Sequence, residues 1–559
     1  MSQGRSNVYK LRDIVNVKDP AFGAKGDGAS ADYAGQQAAI NALAAGNGGY
    51  SYYPPGTYLT ATKLTLKNKV VLKGEGIQSS IIKGDGAIAD AVVETEDFTT
   101  LTGTDVWLTS AGMKYGFGLS DIKIDGGGKA IWGLRIYGKG YTLDPLLVYN
   151  CASGGVWSEG GASGGQTDDT DMPEAKIDLR VHSCGGVSFD FRGPHDAVIE
   201  RYVSSGQSAA GTTALTIRKS ATYHGGSDWK FVHVYAHENG VFIGGTAAAG
   251  DATGVSVKMH HCISESMKGG AFKVWDNSSL CEIHKLELYG NGTDATAAAG
   301  KYDAEILGSN NYIGYLRVSV NAATPHQTGA LLVQGGYNQV NCNLDGNGNG
   351  LVGLTAGSAT GGSMTGNMVK GSIRSFYNNG TGAGTGFKSH QNAASSYLHN
   401  RYELEIADCL TVWNNGVAGT GNRFDINSQL NGSIVTAATT MFTGTVPNRG
   451  GQEEVKMIVN NKGTLYKVPS YVRSGNAIAL DSTAVQTLTI AHLCPLTPKI
   501  EHCSFEIQRG DTSGAVTDYV VSLMKIDSVD ATNVTAKVKL GTASGTAGAT
   551  GSAAIKVHW

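Results

Sequence analysis

The feature that most limits the fold of this chain is an imperfect repeat running from about residue 115 to about 430. A strand ending apolar-x-x-Cys recurs as Val148-Tyr149-Asn150-Cys151, Val181-His182-Ser183-Cys184, Met259-His260-His261-Cys262 and Ile406-Ala407-Asp408-Cys409. Val203 to Gly206, Val234 to His237 and Leu286 to Tyr289 keep the same frame with a different last residue. From Cys151 to Tyr289 the units are 33, 22, 31, 25 and 27 residues apart, long enough for a coil of three short strands with loops. After most of them a Gly leads into a second strand, as in Gly186-Val187-Ser188-Phe189, Gly240-Val241-Phe242-Ile243 and Gly270-Ala271-Phe272-Lys273. Stacked coils bring equivalent residues to about 4.8 Å, so each sequence column becomes a ladder and the inward Val, Leu, Ile, Phe and Met column becomes the core.

Composition agrees with such a stack. Gly makes up 79 of 559 residues and charged residues only 16%, which suits short strands broken by tight turns. With 44 basic against 47 acidic residues the net charge of -3 gives no sign of a nucleic-acid partner. The polar start Met1-Ser2-Gln3-Gly4-Arg5-Ser6 has no signal-peptide core, and no later run approaches a membrane span, so no membrane insertion is expected. None of the eight Cys falls in a CxxC pair with metal spacing. They are expected to be reduced packing residues, the closest pair Cys494 and Cys503 included, as in a protein synthesised in a cytoplasm. No cofactor or metal is expected. The acidic loop Thr167-Asp168-Asp169-Thr170-Asp171 with Glu174 lacks the Gly and final Glu of an EF-hand and reads as a solvated insertion.

Toward the N-terminus, Phe22-Gly23-Ala24-Lys25-Gly26-Asp27-Gly28 precedes Asp32 and a helical stretch from Tyr33 to Ala45, with Ala39, Ile40 and Leu43 on its apolar side. Strands stopped by Pro54-Pro55-Gly56 follow, then Val70-Val71-Leu72-Lys73-Gly74-Glu75-Gly76. This order caps the first coil, which would otherwise expose its apolar end. Over about residues 17 to 85 it closely resembles the leading segment of the pectate-lyase-like superfamily, found in phage tailspikes, polygalacturonase relatives and alginate epimerases. At the other end, residues 468–559 alternate as in an antiparallel sandwich, and resemble the C-terminal domain that closes many tailspike trimers.

The resemblance implies an all-β chain: a right-handed parallel β-helix with a short N-terminal capping helix and a C-terminal antiparallel β-sandwich. The expected divisions are an arm over 1–16, cap and first rungs over 17–110, the main helix with its groove over 111–435, a neck over 436–467 and the sandwich over 468–559. It further implies a homotrimer in a virion tail, acting at the host cell surface and docked through its arm on another phage tail protein. The function it implies is a depolymerase that endo-cleaves a bacterial surface polysaccharide: capsule, exopolysaccharide or O-antigen. A polysaccharide lyase and a non-catalytic receptor-binding spike are the alternatives.

Alternation places Leu147 and Tyr149, Arg180 and His182, Tyr202 and Ser204, His233 and Tyr235, Lys258 and His260, and Lys285 and Glu287 on the outward face of the first strands. Such a face suits an acidic or hydroxyl-rich glycan, and equally a polar trimer axis. The second strands give another outward column with Asp190 and Arg192, Thr216 and Arg218, Lys273 and Trp275. Hydrolysis needs two carboxylates, about 5–5.5 Å apart for retention or about 6.5–9.5 Å for inversion. Glu238, Glu265 and Asp276 are the candidate catalytic acids, with Trp275, Tyr235, His237, His233, His260, Arg180, His182, Lys258 and Arg218 as substrate contacts. A carboxylate after a strand of such a stack is more often a turn cap or a solvated loop residue. For β-elimination at a uronic acid, Arg180, His182, His233, Tyr235, Lys258 and His260 supply the neutralising and basic groups on one face. The paired-Asp, Gly-His-Gly and Arg-x-Lys pattern of polygalacturonases is missing, which argues against pectin hydrolysis.

Overall fold

The computed structural model describes residues 13–101, 115–160, 174–194, 196–206, 210–218, 226–245, 256–320, 328–348, 351–357, 362–376, 384–389, 395–416 and 419–430, and, further on, 440–444, 454–461, 464–467, 471–479, 484–491, 500, 503–508, 520–530, 533–542 and 550–557. Two compact units divide at Leu351 and Val352.

The first unit is a stack of coils, each giving one long strand to one parallel sheet and one short strand to another. The long strands include Ile122–Asp125, Tyr141–Tyr149, Ala175–His182, Ala197–Ser205, Gly226–Tyr235, Ser256–Glu265, Glu282–Tyr289 and Tyr312–Ser319. Leu146, Leu179, Tyr202, Val232, Cys262, Leu286, Leu316 and Cys342 form one unbroken inward ladder across them, all but fully buried. The short strands include Ala91–Thr95, Trp132–Tyr137, Gly154–Glu159, Val187–Arg192, Thr213–Ile217, Asn239–Ile243 and Phe272–Val274, each parallel to the next.

A single left-handed residue ends several long strands: Asn150, Ser183, Ala236 and Ser266 have φ of 53°, 56°, 53° and 57°. That one residue turns the chain toward the short strand, and the Gly beyond it lets neighbouring coils close up. A Cβ on Gly186 would lie 1.8 Å from the Ser153 carbonyl oxygen of the coil below, which is why Gly recurs at this point of the repeat.

Asn side chains replace apolar ones at another corner. Asn338 accepts from the Asn311 backbone N–H and from Asn311 Nδ2 at 3.0 and 3.1 Å, and donates through Nδ2 to the carbonyl oxygens of Gly308 and Gln334. Stacked in this way, buried amides satisfy one another and the turn carbonyls.

The cap forms as read from the sequence. The helix Tyr33–Ala45 buries Ala39, Ile40 and Leu43, and the Asp32 carboxylate accepts from the backbone N–H groups of Lys25 and Gly26 at 2.6 and 3.2 Å. Gly26 is obligatory here, since φ is +63° and a Cβ would meet the Tyr58 ring at 2.7 Å.

Within the second unit, Met368–Arg374, Arg401–Ala407, Arg423–Leu430 and Glu454–Asn461 stack in parallel, so parallel pairing continues past residue 435. Asn367, Asn400 and Asn422 make a second amide ladder. Beyond it two antiparallel sheets follow, one of Tyr471–Ala479, Thr550–Val557 and Cys503–Gln508, the other of Gln486–Ala491, Asn533–Thr542 and Val520–Val529. These sheets occupy the region read as a sandwich.

Two details of the repeat differ from the sequence reading. Cys151 and Cys184 do align, each two residues beyond the ladder of Tyr149 and His182, but Cys262 lies three residues before Glu265, inside the strand. The position matching Cys151 is Met267, because the strand runs on through Ile263, Ser264 and Glu265 before its left-handed turn. Tyr202 and Ser204 point inward, not outward. A register shift opposite Ile177 and Asp178 moves the frame of Ala197–Ser205 by one, and a one-residue slip exchanges the two faces of a strand. Cys151, Cys184, Cys262, Cys281, Cys342 and Cys409 are all buried free thiols. Cys494 and residues 167–171 lie outside the described residues.

Candidate functional site

Both sheets of the first unit present an outward face. On the long-strand sheet, Tyr149, His182, Ser205, Tyr235, Glu265 and Tyr289 form one ladder. Two residues earlier, Lys123, Leu147, Arg180, Val203, His233, Ile263 and Glu287 form a second. Histidine–carboxylate contacts tie this face together: His233 Nε2 lies 3.0 Å from Glu265 Oε1, His260 Nε2 2.9 Å from Asp228 Oδ1 and His261 Nε2 2.8 Å from Glu287 Oε2. Burial pushes the Glu287 carboxyl up, but hydrogen bonds from Lys285, Tyr289 and His261 outweigh it and bring it down to about 2. Most of these groups stay partly exposed to water.

The short-strand sheet is different, because its outward charges are buried. Arg135, Trp157, Asp190 and Thr216 form one ladder, and Tyr137, Glu159 and Arg192 the next. Glu94, Glu159 and Asp190 are 3%, 2% and 1% exposed, a placement for carboxylates that is costly unless each is paired. Asp190 is held from two sides. Arg218 donates through Nε and Nη2 at 2.8 and 2.7 Å, and Arg192 through Nε and Nη2 at 3.0 and 2.7 Å. Burial pushes the Asp190 carboxyl up, yet the two guanidinium groups more than offset this and hold it below the usual aspartate range. Glu159 accepts from Trp157 Nε1 at 3.3 Å and lies 3.9 Å from Arg192 Nη1. Glu94 pairs with Lys63 at 2.7 Å and with Arg135.

Aromatic rings line the same face. Arg192 sits 4.3 Å from the centroid of the half-buried Trp157 ring, and Phe98 and Trp132 pack against that ring at 5.1 and 5.6 Å. Farther along, Lys273 Nζ lies 3.6 Å over the Trp275 ring and 2.8 Å from Glu305. Buried paired charge beside partly exposed aromatic faces is the arrangement expected of a site built to grip a polar, ring-shaped ligand.

The structure distributes the sequence-predicted residues over several positions of the coil. Arg180, His182, His233, Tyr235, Lys258, His260 and Glu265 share the long-strand face. Arg218 and Trp275 belong to the short-strand face. Glu238, Glu265 and Asp276 do not converge: Glu238 reaches to the coil below and caps the Gly211 backbone N–H, Glu265 pairs with His233, and Asp276 is exposed in the turn beyond Phe272–Val274. His237 is fully buried, so it cannot touch a ligand on the surface; its Nε2 lies 2.8 Å from Ser204 Oγ, and burial brings it down to about 4. Sequence reasoning passed over Glu94, Arg135, Trp157 and Glu159, whose strands lack the Cys frame. The signal available was Trp157-x-Glu159 followed by Asp190-x-Arg192, a charged pair of positions at matching points of successive second strands.

These coils define a parallel β-helix as the class of protein. Residues 14–154 match the family described as rhamnogalacturonase A/epimerase, pectate lyase-like, in keeping with the resemblance of the cap. The chain is similar to mannuronan C5-epimerase AlgE4 of Azotobacter vinelandii, 30% identical over 255 residues, covering 43% of this chain and 36% of that protein. AlgE6 of the same organism is 29% identical over 250 residues, covering 43% of this chain and 22% of that protein. The chain thus spans about a third and a fifth of the lengths of these two relatives. Among solved structures it is similar to the tailspike protein gp49 from Pseudomonas phage LKA1, at 12% identity and a TM-score of 0.45, covering 97% of this chain and 99% of that one.

Proposed function

We propose that this chain binds and endo-cleaves an acidic bacterial surface polysaccharide, as the homotrimeric spike of a phage tail, with the charged face of the short-strand sheet as its active centre. The observation that carries this reading is the brace formed by Asp190: it spends a buried carboxylate on fixing Arg192 and Arg218 side by side. Two guanidinium groups in fixed orientation are suited to a sugar carboxylate. Trp157, and farther along Trp275, offer ring faces on which sugars stack.

Neutralising a uronate carboxylate acidifies the proton at C5, and the two relatives just described carry C5-epimerase in their names. Glu159, 2% exposed and 3.9 Å from Arg192 Nη1, is a positioning residue for that guanidinium, and the proton passes to hydroxide from solvent at the open face. In β-elimination the C–H electron pair forms the C4–C5 double bond, the C4–O bond breaks, and the leaving oxygen takes a proton from water. Asp190 is a positioning residue here and touches no substrate.

Hydrolysis is a second reading, favoured by one observation on the other face. Glu265 and Glu287 stand diagonally in adjacent coils, about 8 Å apart from strand spacing and rise, inside the roughly 6.5–9.5 Å range of inverting enzymes.

Incubation with purified polysaccharides of candidate hosts separates the readings. New reducing ends together with ultraviolet absorbance of an unsaturated uronate support elimination. Reducing ends without that absorbance transfer the activity to hydrolysis, and intact polymer throughout rejects cleavage. Arg218→Gln is expected to abolish elimination and leave Glu265-dependent hydrolysis untouched.

A further inference from the structure

A separate concavity of about 420 Å³ opens on the long-strand face, several coils before Glu265, and is lined by Gln78, Lys123, Tyr149, Arg180, His182 and Ser205. Its chemistry differs from the rest of that face. Around His233, His260 and His261 each imidazole has a carboxylate partner, whereas Arg180 is exposed and has no acidic partner among the described residues. Asp125 stands 3.8 Å from Lys123 Nζ, too far for a strong bond.

One wall of the concavity is aromatic. Lys123 Nζ lies 4.2 Å from the centroid of the Tyr149 ring, and Tyr149 stacks on His182 with centroids 5.6 Å apart and planes at 17°. His182 Nδ1 is turned toward Ser205, 2.9 Å from its carbonyl oxygen, which fixes the ring of this exposed residue. Lys123 and Arg180 occupy the same column with Leu147 between them, so about 10 Å separates their strands. That span admits one sugar ring, with an anionic substituent between the two cations.

We infer that Lys123, Arg180, Tyr149 and His182 form a second saccharide site that takes a carboxylated sugar residue and holds the polymer without cleaving it. The inference rests on the reading of the chain as a protein that acts on acidic polysaccharide, but not on the short-strand face as its active centre. A spike with two grips on one polymer gains avidity from the linkage between them, which short fragments cannot exploit.

The test measures equilibrium binding of oligomannuronate and of its carboxyl-reduced counterpart to the full chain, in a Glu159→Gln background so that the ligand persists. Arg180→Gln is expected to weaken oligomannuronate binding at least tenfold and to leave the weaker binding of the reduced form unchanged. Tyr149→Phe, which keeps the stacked ring, is expected to bind as the parent does, and Tyr149→Ala to lose affinity. Unchanged binding by Arg180→Gln, equal affinity for both oligosaccharides, or no binding by the parent each overturn the inference. If Arg218→Gln proves fully active while Arg180→Gln loses binding, the short-strand face is refuted as the active centre and this site stands.

Discussion

Asp190 and Arg218, in successive coils of the short-strand sheet, grip each other through two hydrogen bonds of 2.8 and 2.7 Å. The carboxylate is buried and ionised, and Arg192 approaches it from its own strand as well. Removing one member of such a group leaves the others without compensation.

Asp190→Asn is therefore expected to destabilise the first unit by about 3–5 kcal/mol and to abolish turnover. The loss also follows a definite pH course. The native carboxyl titrates below an ordinary aspartate, so its contribution is complete above the ordinary aspartate pKa and disappears as pH falls through the depressed native value. Thermal unfolding followed from neutral to strongly acidic pH should show a steep acid limb in the parent and a shallower one in Asp190→Asn.

His237 gives a second pH dependence in a different window. Held neutral by burial, it titrates at about 4 against an ordinary 6.5. Between those values the unfolded chain binds a proton that the folded chain does not, so stability is full above the ordinary histidine pKa and is lost as pH falls toward the native value. The contribution is roughly 3 kcal/mol by this linkage. Replacing His237 with Asn should flatten the unfolding midpoint across this window; an unchanged slope would assign the dependence to other groups.

The amide ladder of the second unit provides a third test. Asn400 donates through Nδ2 to the Met364 carbonyl oxygen at 2.9 Å and to Asn422 Oδ1 at 3.0 Å, and accepts from the Asn367 backbone N–H at 3.1 Å. Asn400→Leu keeps the volume and strands these partners, at about 1–3 kcal/mol for each buried group left unsatisfied. Denaturant unfolding monitored in the second unit is expected to shift to a lower midpoint, and to shift less for a control at the exposed Glu405 of the same unit, Glu405→Gln.

Much of the architecture was legible because periodicity speaks directly about faces. The Gly that follows each first strand, the apolar columns and the Gly-rich cap each report a local demand: close approach of two backbones, a buried surface, a left-handed turn. The frame failed where Cys stood at an inner position by chance. Cys262 and Cys151 have the same chemistry in two different columns, and only a strand length can tell them apart.

The amino-acid sequence by itself determined that this chain coils into stacked parallel strands, capped by the helix from Tyr33 to Ala45, because alternation and turn chemistry act over a few neighbouring residues. Which side chains meet was decided by the tertiary structure alone. Register between coils depends on the summed lengths of strands, bulges and loops, and a shift of one residue exchanges inside for outside. That sum moved Tyr202 inward, separated Glu238 from Glu265, and brought Glu159, Asp190, Arg192 and Arg218 together from three successive coils.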